Sequence, residues 1–97
     1  MKLDYHPEAV REYERSVNYY KTISPRLAAR FIDEIQTCIA LIKEAPQRWK
    51  RLRGEVRAVQ AAIFPFQVLY SVKQERIIIL AVMHESRHPD YWTDRLN

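Results

Sequence analysis

The nine residues HESRHPDYW, from His84 to Trp92, follow an apolar run without a break and bring together His84, Glu85, Arg87, His88, Asp90 and Tyr91. Polar side chains at the end of a rigid strand are where sites are usually built. Two histidines four apart suggest a metal first, but Pro89 interrupts the helix that this spacing requires and no third ligand is compelling, so no metal is expected. Nucleophilic hydrolysis fails on the same inspection. Ser86 lacks the glycines of a nucleophile elbow, and Cys38 falls on the apolar face of a helix. The chain has one glycine, Gly54, which cannot form a phosphate-cradling loop, and no cofactor is expected.

One chemistry remains open to these residue types. Cleavage of RNA by its own 2′-hydroxyl needs a proton acceptor, a proton donor and cations to stabilise the phosphorane, and it needs no metal. His84 or Tyr91 could move the proton, while Arg87 or Arg57 could hold the phosphate. The competing reading is structural: Tyr91 and Trp92 pin the last helix to the sheet, His84 is a satisfied strand-end residue, and Arg87 pairs with Asp90 or Asp94. Whether the chain is an enzyme is left open by its residues.

The net charge of +4 is strongly localised. Residues 1–45 carry seven basic and seven acidic side chains, whereas residues 46–97 carry nine basic against five acidic. The segment PQRWKRLRGEVR holds Arg48, Lys50, Arg51, Arg53 and Arg57 against Glu55 alone. Such a stripe attracts a phosphate backbone or an acidic protein surface, or is a solvated basic loop. Lys50, Arg51, Arg53, Arg57 and Arg87 are the candidate target- or phosphate-binding residues. With 97 residues, 47% apolar content and a single cysteine, the expectation is one domain over 1–97 without a disulfide. No segment reaches the ~20 apolar residues of a spanning helix, so a cytoplasmic protein with no membrane partner is expected.

The elements that must position these groups can be read in order. Lys2 to His6 alternates enough for a short strand. Pro7 opens a helix whose apolar stripe is Val10, Tyr13, Val17 and Tyr20, with Glu12 outside it, ending near Thr22. Ser24-Pro25 opens a second helix, with Ala28, Phe31, Ile32, Ile35, Cys38, Ile39 and Ile42 on one face and Pro46 ending it. The short link forces an antiparallel hairpin of helices. Glu55–Ala62, Phe66–Val72 and Ile77–Met83 predict three strands, the last apolar at every position and so covered on both faces. Pro89–Leu96 predicts a short final helix. The expected fold is α+β, in the order β-α-α-β-β-β-α, with a helical hairpin packed on a small, mainly antiparallel sheet.

Several stretches together carry a family resemblance: Tyr19-Tyr20, Ser24-Pro25 followed by Ala28, Phe31 and Glu34, Phe64-Pro65-Phe66-x-Val68-x-Tyr70, and Ile77-x-Ile79-x-Ala81-Val82-x-His84-x-x-Arg87-x-Pro89-x-Tyr91-Trp92. In order and spacing the chain resembles the RelE/ParE superfamily of toxins from bacterial type II toxin–antitoxin modules, closer to the ParE or plasmid-stabilisation side. The resemblance implies a toxin silenced by a cognate antitoxin protein and directed at DNA gyrase. The RelE-like alternative is a ribosome-dependent endoribonuclease acting on mRNA, with His84, Arg87 and Tyr91 catalytic. A third reading is an inactive homologue that only binds antitoxin. Tyr19, Tyr20, Ile23, Leu27 and Trp49 are the candidate antitoxin-binding residues, with core packing as their alternative use.

Overall fold

The computed structural model describes residues 1–96. The elements are β1 (Lys2–Tyr5), α1 (Pro7–Ile23), α2 (Pro25–Glu44), β2 (Arg51–Arg53), β3 (Val56–Gln60), β4 (Phe66–Lys73), β5 (Arg76–His84) and a single 3-10 turn, Thr93–Leu96. The sheet order is β1-β5-β4-β3-β2. β1 is parallel to β5 and every other neighbouring pair is antiparallel, which places β5 between the first and the fourth strand.

Local chemistry sets the helix ends as the sequence predicts. His6 caps α1 by accepting the Glu8 N–H on Nδ1, and Pro7 occupies the first turn. Ser24 ends α1 and caps α2 through its Oγ and the Leu27 N–H, so one residue serves both helices and turns them back on each other. The predicted face of α2 is buried except for Ile32, which is half-buried. α1 departs from expectation. Val10 is 39% exposed, whereas Glu12, expected outside, is 6% exposed alongside Ala9 and Val17.

The uniformly apolar β5 has two physical explanations. Both of its faces are covered, and Leu80 is a bulge: Ile79 pairs with Tyr70 and Ala81 with Leu69, leaving Leu80 without a partner. The extra residue shifts the alternation by one. Ile77, Ile79 and Val82 therefore join the core beneath the helices, while Leu80, Ala81 and Met83 pack with Leu69, Val56 and Trp92 on the opposite face. On β4, Phe66, Val68, Tyr70 and Val72 share the helix side as predicted.

Two elements differ from the sequence reading. The basic segment is partly a strand, β2, which pairs with β3 at the edge of the sheet and is exposed at all three residues. The final helix is present only as the 3-10 turn Thr93–Leu96, because Pro89 and the hydrogen-bonded loops around His88 and Asp90 take up the first half of the predicted segment. That turn buries Trp92 and Arg95 and closes the second core.

Candidate functional site

The charged end of β5 is held by a buried ion pair that spans the chain. Arg95 donates to Glu12 at 2.6 Å and to the Leu80 carbonyl at 3.0 Å, while the second oxygen of Glu12 accepts the Val82 N–H at 3.0 Å. β1 ends opposite Ile79, so these two side chains satisfy the edge of β5 just where its partner strand runs out. Burial opposes the charge on Arg95, but the bond and charge of Glu12, joined by those of Tyr91, together outweigh it and raise its pKa. Neither residue was a sequence candidate. The apolar stripe places a carboxylate outside, and no local pattern reveals a partner 83 positions away.

Upon this strut sits the predicted trio. Two guanidiniums lie over the Tyr91 ring, Arg95 at 4.9 Å and Arg87 at 5.0 Å from its centre. His84, Arg87 and Tyr91 line one recess of about 120 Å³ together with Glu12, Arg15 and Ser16 of α1. The structure thus gathers the three residues, and adds Arg15 and Ser16 from a helix that sequence reasoning assigned to packing. His84 packs edge-on against Phe66 and accepts the Ser86 N–H on Nδ1. Neutral His84 therefore carries its proton on Nε2. His88 makes the equivalent bond to Asp90, stapling the next turn.

The basic segment divides. Arg57 is half-buried and donates to the Trp49 carbonyl at 2.7 Å and to Gln47 at 3.0 Å, fixing the loop between α2 and β2 beside the hydroxyl of Tyr70, which donates to the Pro46 carbonyl. Arg53 is ion-paired with Asp90 and lies over Trp92, and its hydrogen bond holds the Asp90 carboxyl below its ordinary pKa. Lys50 and Arg51 are exposed at the β2 edge. On the sheet face away from the helices, Leu52, Arg53, Met83, Arg87, Pro89 and Trp92 line a groove of about 280 Å³. Arg87 borders both this groove and the recess, so it stands on the ridge between the two faces.

The residues proposed to bind antitoxin are also separated. Tyr19 and Ile23 are 61% and 58% exposed. They border an open groove of about 480 Å³ with Arg15, Ser16, Tyr20, Phe66 and His84. Tyr20 is half-buried in an aromatic cluster, 5.1 Å from Phe31 and 5.0 Å from Phe64, and Leu27 packs on the same core. Trp49 is half-buried, its indole N–H directed at the Leu41 carbonyl. Tyr20, Leu27 and Trp49 are thus partly engaged in packing, and Tyr19 and Ile23 are the free pair.

The sequence matches the family described as ParE toxin of type II toxin-antitoxin system, parDE, over residues 3–89. No curated protein matches the chain in sequence. A solved structure described as the chromosomal ParDE TA system from P. aeruginosa is similar with a TM-score of 0.76 at 22% identity, covering 87% of this chain and 95% of that chain. At that identity the likeness concerns the fold. The family match runs from β1 through both helices and the whole sheet to Pro89, and the chain therefore belongs to the ParE toxin family of type II toxin–antitoxin systems.

Proposed function

We propose that this chain, the toxin of a type II module with a cognate antitoxin as partner, acts by binding DNA gyrase. Family membership supports this target, and the layout of the basic segment agrees with it: the cations of that segment are dispersed or engaged, not gathered at His84 and Tyr91. Arg57 is bound by Trp49 and Gln47, and Arg53 by Asp90. Arg51 lies three strands from β5, about 14 Å of sheet width. Of the five predicted target-binding cations, Arg87 alone lies beside His84 and Tyr91. The groove it borders is half apolar, with Leu52, Met83, Pro89 and Trp92, a composition suited to a protein surface.

Purified chain added to gyrase is expected to block supercoiling, and the same preparation is expected to leave a defined message intact on translating ribosomes. Arg87→Ala should weaken the block by about tenfold or more. Clean message cleavage with untouched supercoiling would overturn the reading in favour of an endoribonuclease that uses His84, Arg87 and Tyr91.

A further inference from the structure

We infer that this chain pairs with a second copy of itself along the free edge of β1, antiparallel and centred on Leu3, joining two five-stranded sheets into one. β1 is the last strand on its side of the sheet. The His6 N–H donates to the Ile79 carbonyl and Tyr5 stands opposite Ile79, so in this parallel ladder Lys2, Asp4 and His6 turn their backbone groups toward β5. Leu3 and Tyr5 turn theirs outward, where no backbone group among the described residues meets them. Such a row of unpaired N–H and C=O groups is a template for another strand.

Charge and alternation select the occupant. The other edge strand, β2, carries Arg51 and Arg53, so two copies of it repel each other. The segment Met1-Lys2-Leu3-Asp4-Tyr5 instead places a cation and an anion symmetrically about Leu3. When two copies run antiparallel about that residue, Lys2 of each faces Asp4 of the other at a Cα separation of about 4.5 Å. Lys2 has no ion-pair partner among the described residues, and Asp4 keeps 42% of its side chain accessible while bound to Arg76. The neighbouring register, centred on Asp4, would set the two carboxylates against each other. The other face of the strand is apolar. Leu3 packs on the core beneath the helices, and the register about Leu3 sets Met1 of one copy against Tyr5 of the other. Met1, Tyr5 and Val10 are 65%, 43% and 39% exposed, and Tyr5 and Val10 border an apolar recess of about 220 Å³. Pairing covers this apolar rim on both copies at once. Because β1 lies beside Arg76 to Ile79, at the far end of β5 from His84, the assembly presents two copies of the Arg87 ridge.

The test is sedimentation velocity of the purified chain, with nothing appended before Met1, over a range of concentrations. The edge is short, so self-association is expected to be weak, with a dissociation constant of about 0.1 mM. Lys2→Glu sets acid against acid and is expected to weaken it by about tenfold. Disulfide trapping reads the register. A mixture of the Lys2→Cys chain with the Asp4→Cys chain is expected to form a linked pair on mild oxidation, because the two sulfurs then face each other, whereas either variant alone should link far more slowly. Cys38 is 3% exposed and takes no part. Lys2 is exposed and Asp4 half-buried, and thermal melts would show that the variants fold. A parent chain that sediments as a monomer up to about 1 mM would overturn the inference. So would unchanged association of Lys2→Glu, or a Lys2→Cys chain that links to itself as fast as the mixture. Gyrase and antitoxin are both absent, so the result is independent of the target reading.

Discussion

Replacing Arg95 by alanine tests whether the strut between α1 and the C-terminal turn holds the fold. The side chains of Arg95 and Glu12 are each 7% accessible. The substitution removes the 2.6 Å ion pair and the bond to the Leu80 carbonyl, leaving a buried carboxylate with the Val82 N–H as its remaining partner. Breaking a buried pair from one side costs about 3–5 kcal/mol, since the surviving charge stays desolvated. Against a total stability of about 5–15 kcal/mol, that is a large fraction. A chain of this size loses about 4–8 °C of Tm per kcal/mol, so the melting temperature should fall by at least about 12 °C. Urea unfolding followed by circular dichroism measures the free energy directly. The double variant Glu12→Leu, Arg95→Met removes both charges at similar volume and should recover part of the loss, the remainder reflecting the Val82 N–H and Leu80 carbonyl left without their side-chain partners. A loss below about 1 kcal/mol in the single variant, or a double variant no more stable than the single, would refute the reasoning.

Two further outcomes follow from local geometry. The β4–β5 hairpin turns through Gln74 and Glu75 at φ 52° and 60°, a left-handed geometry that costs ordinary residues about 1–2 kcal/mol each. Replacing the pair with Asn-Gly, which suits that turn, should stabilise the chain by about 1 kcal/mol, and an unchanged or lowered Tm would contradict this. Burial, with Glu34 nearby, pushes the Cys38 thiol up to about 11, and its side chain is 3% exposed. A disulfide-exchange reagent at pH 8 should therefore label native protein far more slowly than urea-unfolded protein. Rapid stoichiometric labelling of the folded chain would show that α2 opens readily.

The sequence made the two helices legible because their caps are local: Ser24-Pro25 and Pro46 act within one turn of themselves. It also revealed the buried β5, whose apolar run required two covered faces. The bulge at Leu80 was hidden for the same reason, since a strand apolar at every position shows no break in alternation. β2 was missed because Arg51-Leu52-Arg53 offers one apolar residue. Charged residues on an edge strand protect it from pairing with other chains and at the same time disguise it as a loop. At the candidate site, His84, Arg87 and Tyr91 were legible from residue types after a strand. Arg57 reads as a free cation in sequence, and only the folded loop supplies the Trp49 carbonyl and Gln47. Glu12 and Arg15 escaped attention because their roles depend on what lies across from α1.

The parallel pairing of β1 with β5 also has a kinetic meaning. Lys2 to Tyr5 meet Arg76 to Ile79, and Glu12 meets Arg95, so the first element of the chain finds its partners among the last. Contacts so distant in sequence cannot form until nearly the whole polypeptide exists, and the Glu12–Arg95 pair closes a loop across 83 positions. The helical hairpin, by contrast, has its caps in place as soon as residues 7–46 are made. The surface of Arg15, Tyr19 and Ile23 on α1 can therefore take shape early, while the His84–Arg87–Tyr91 end is completed last.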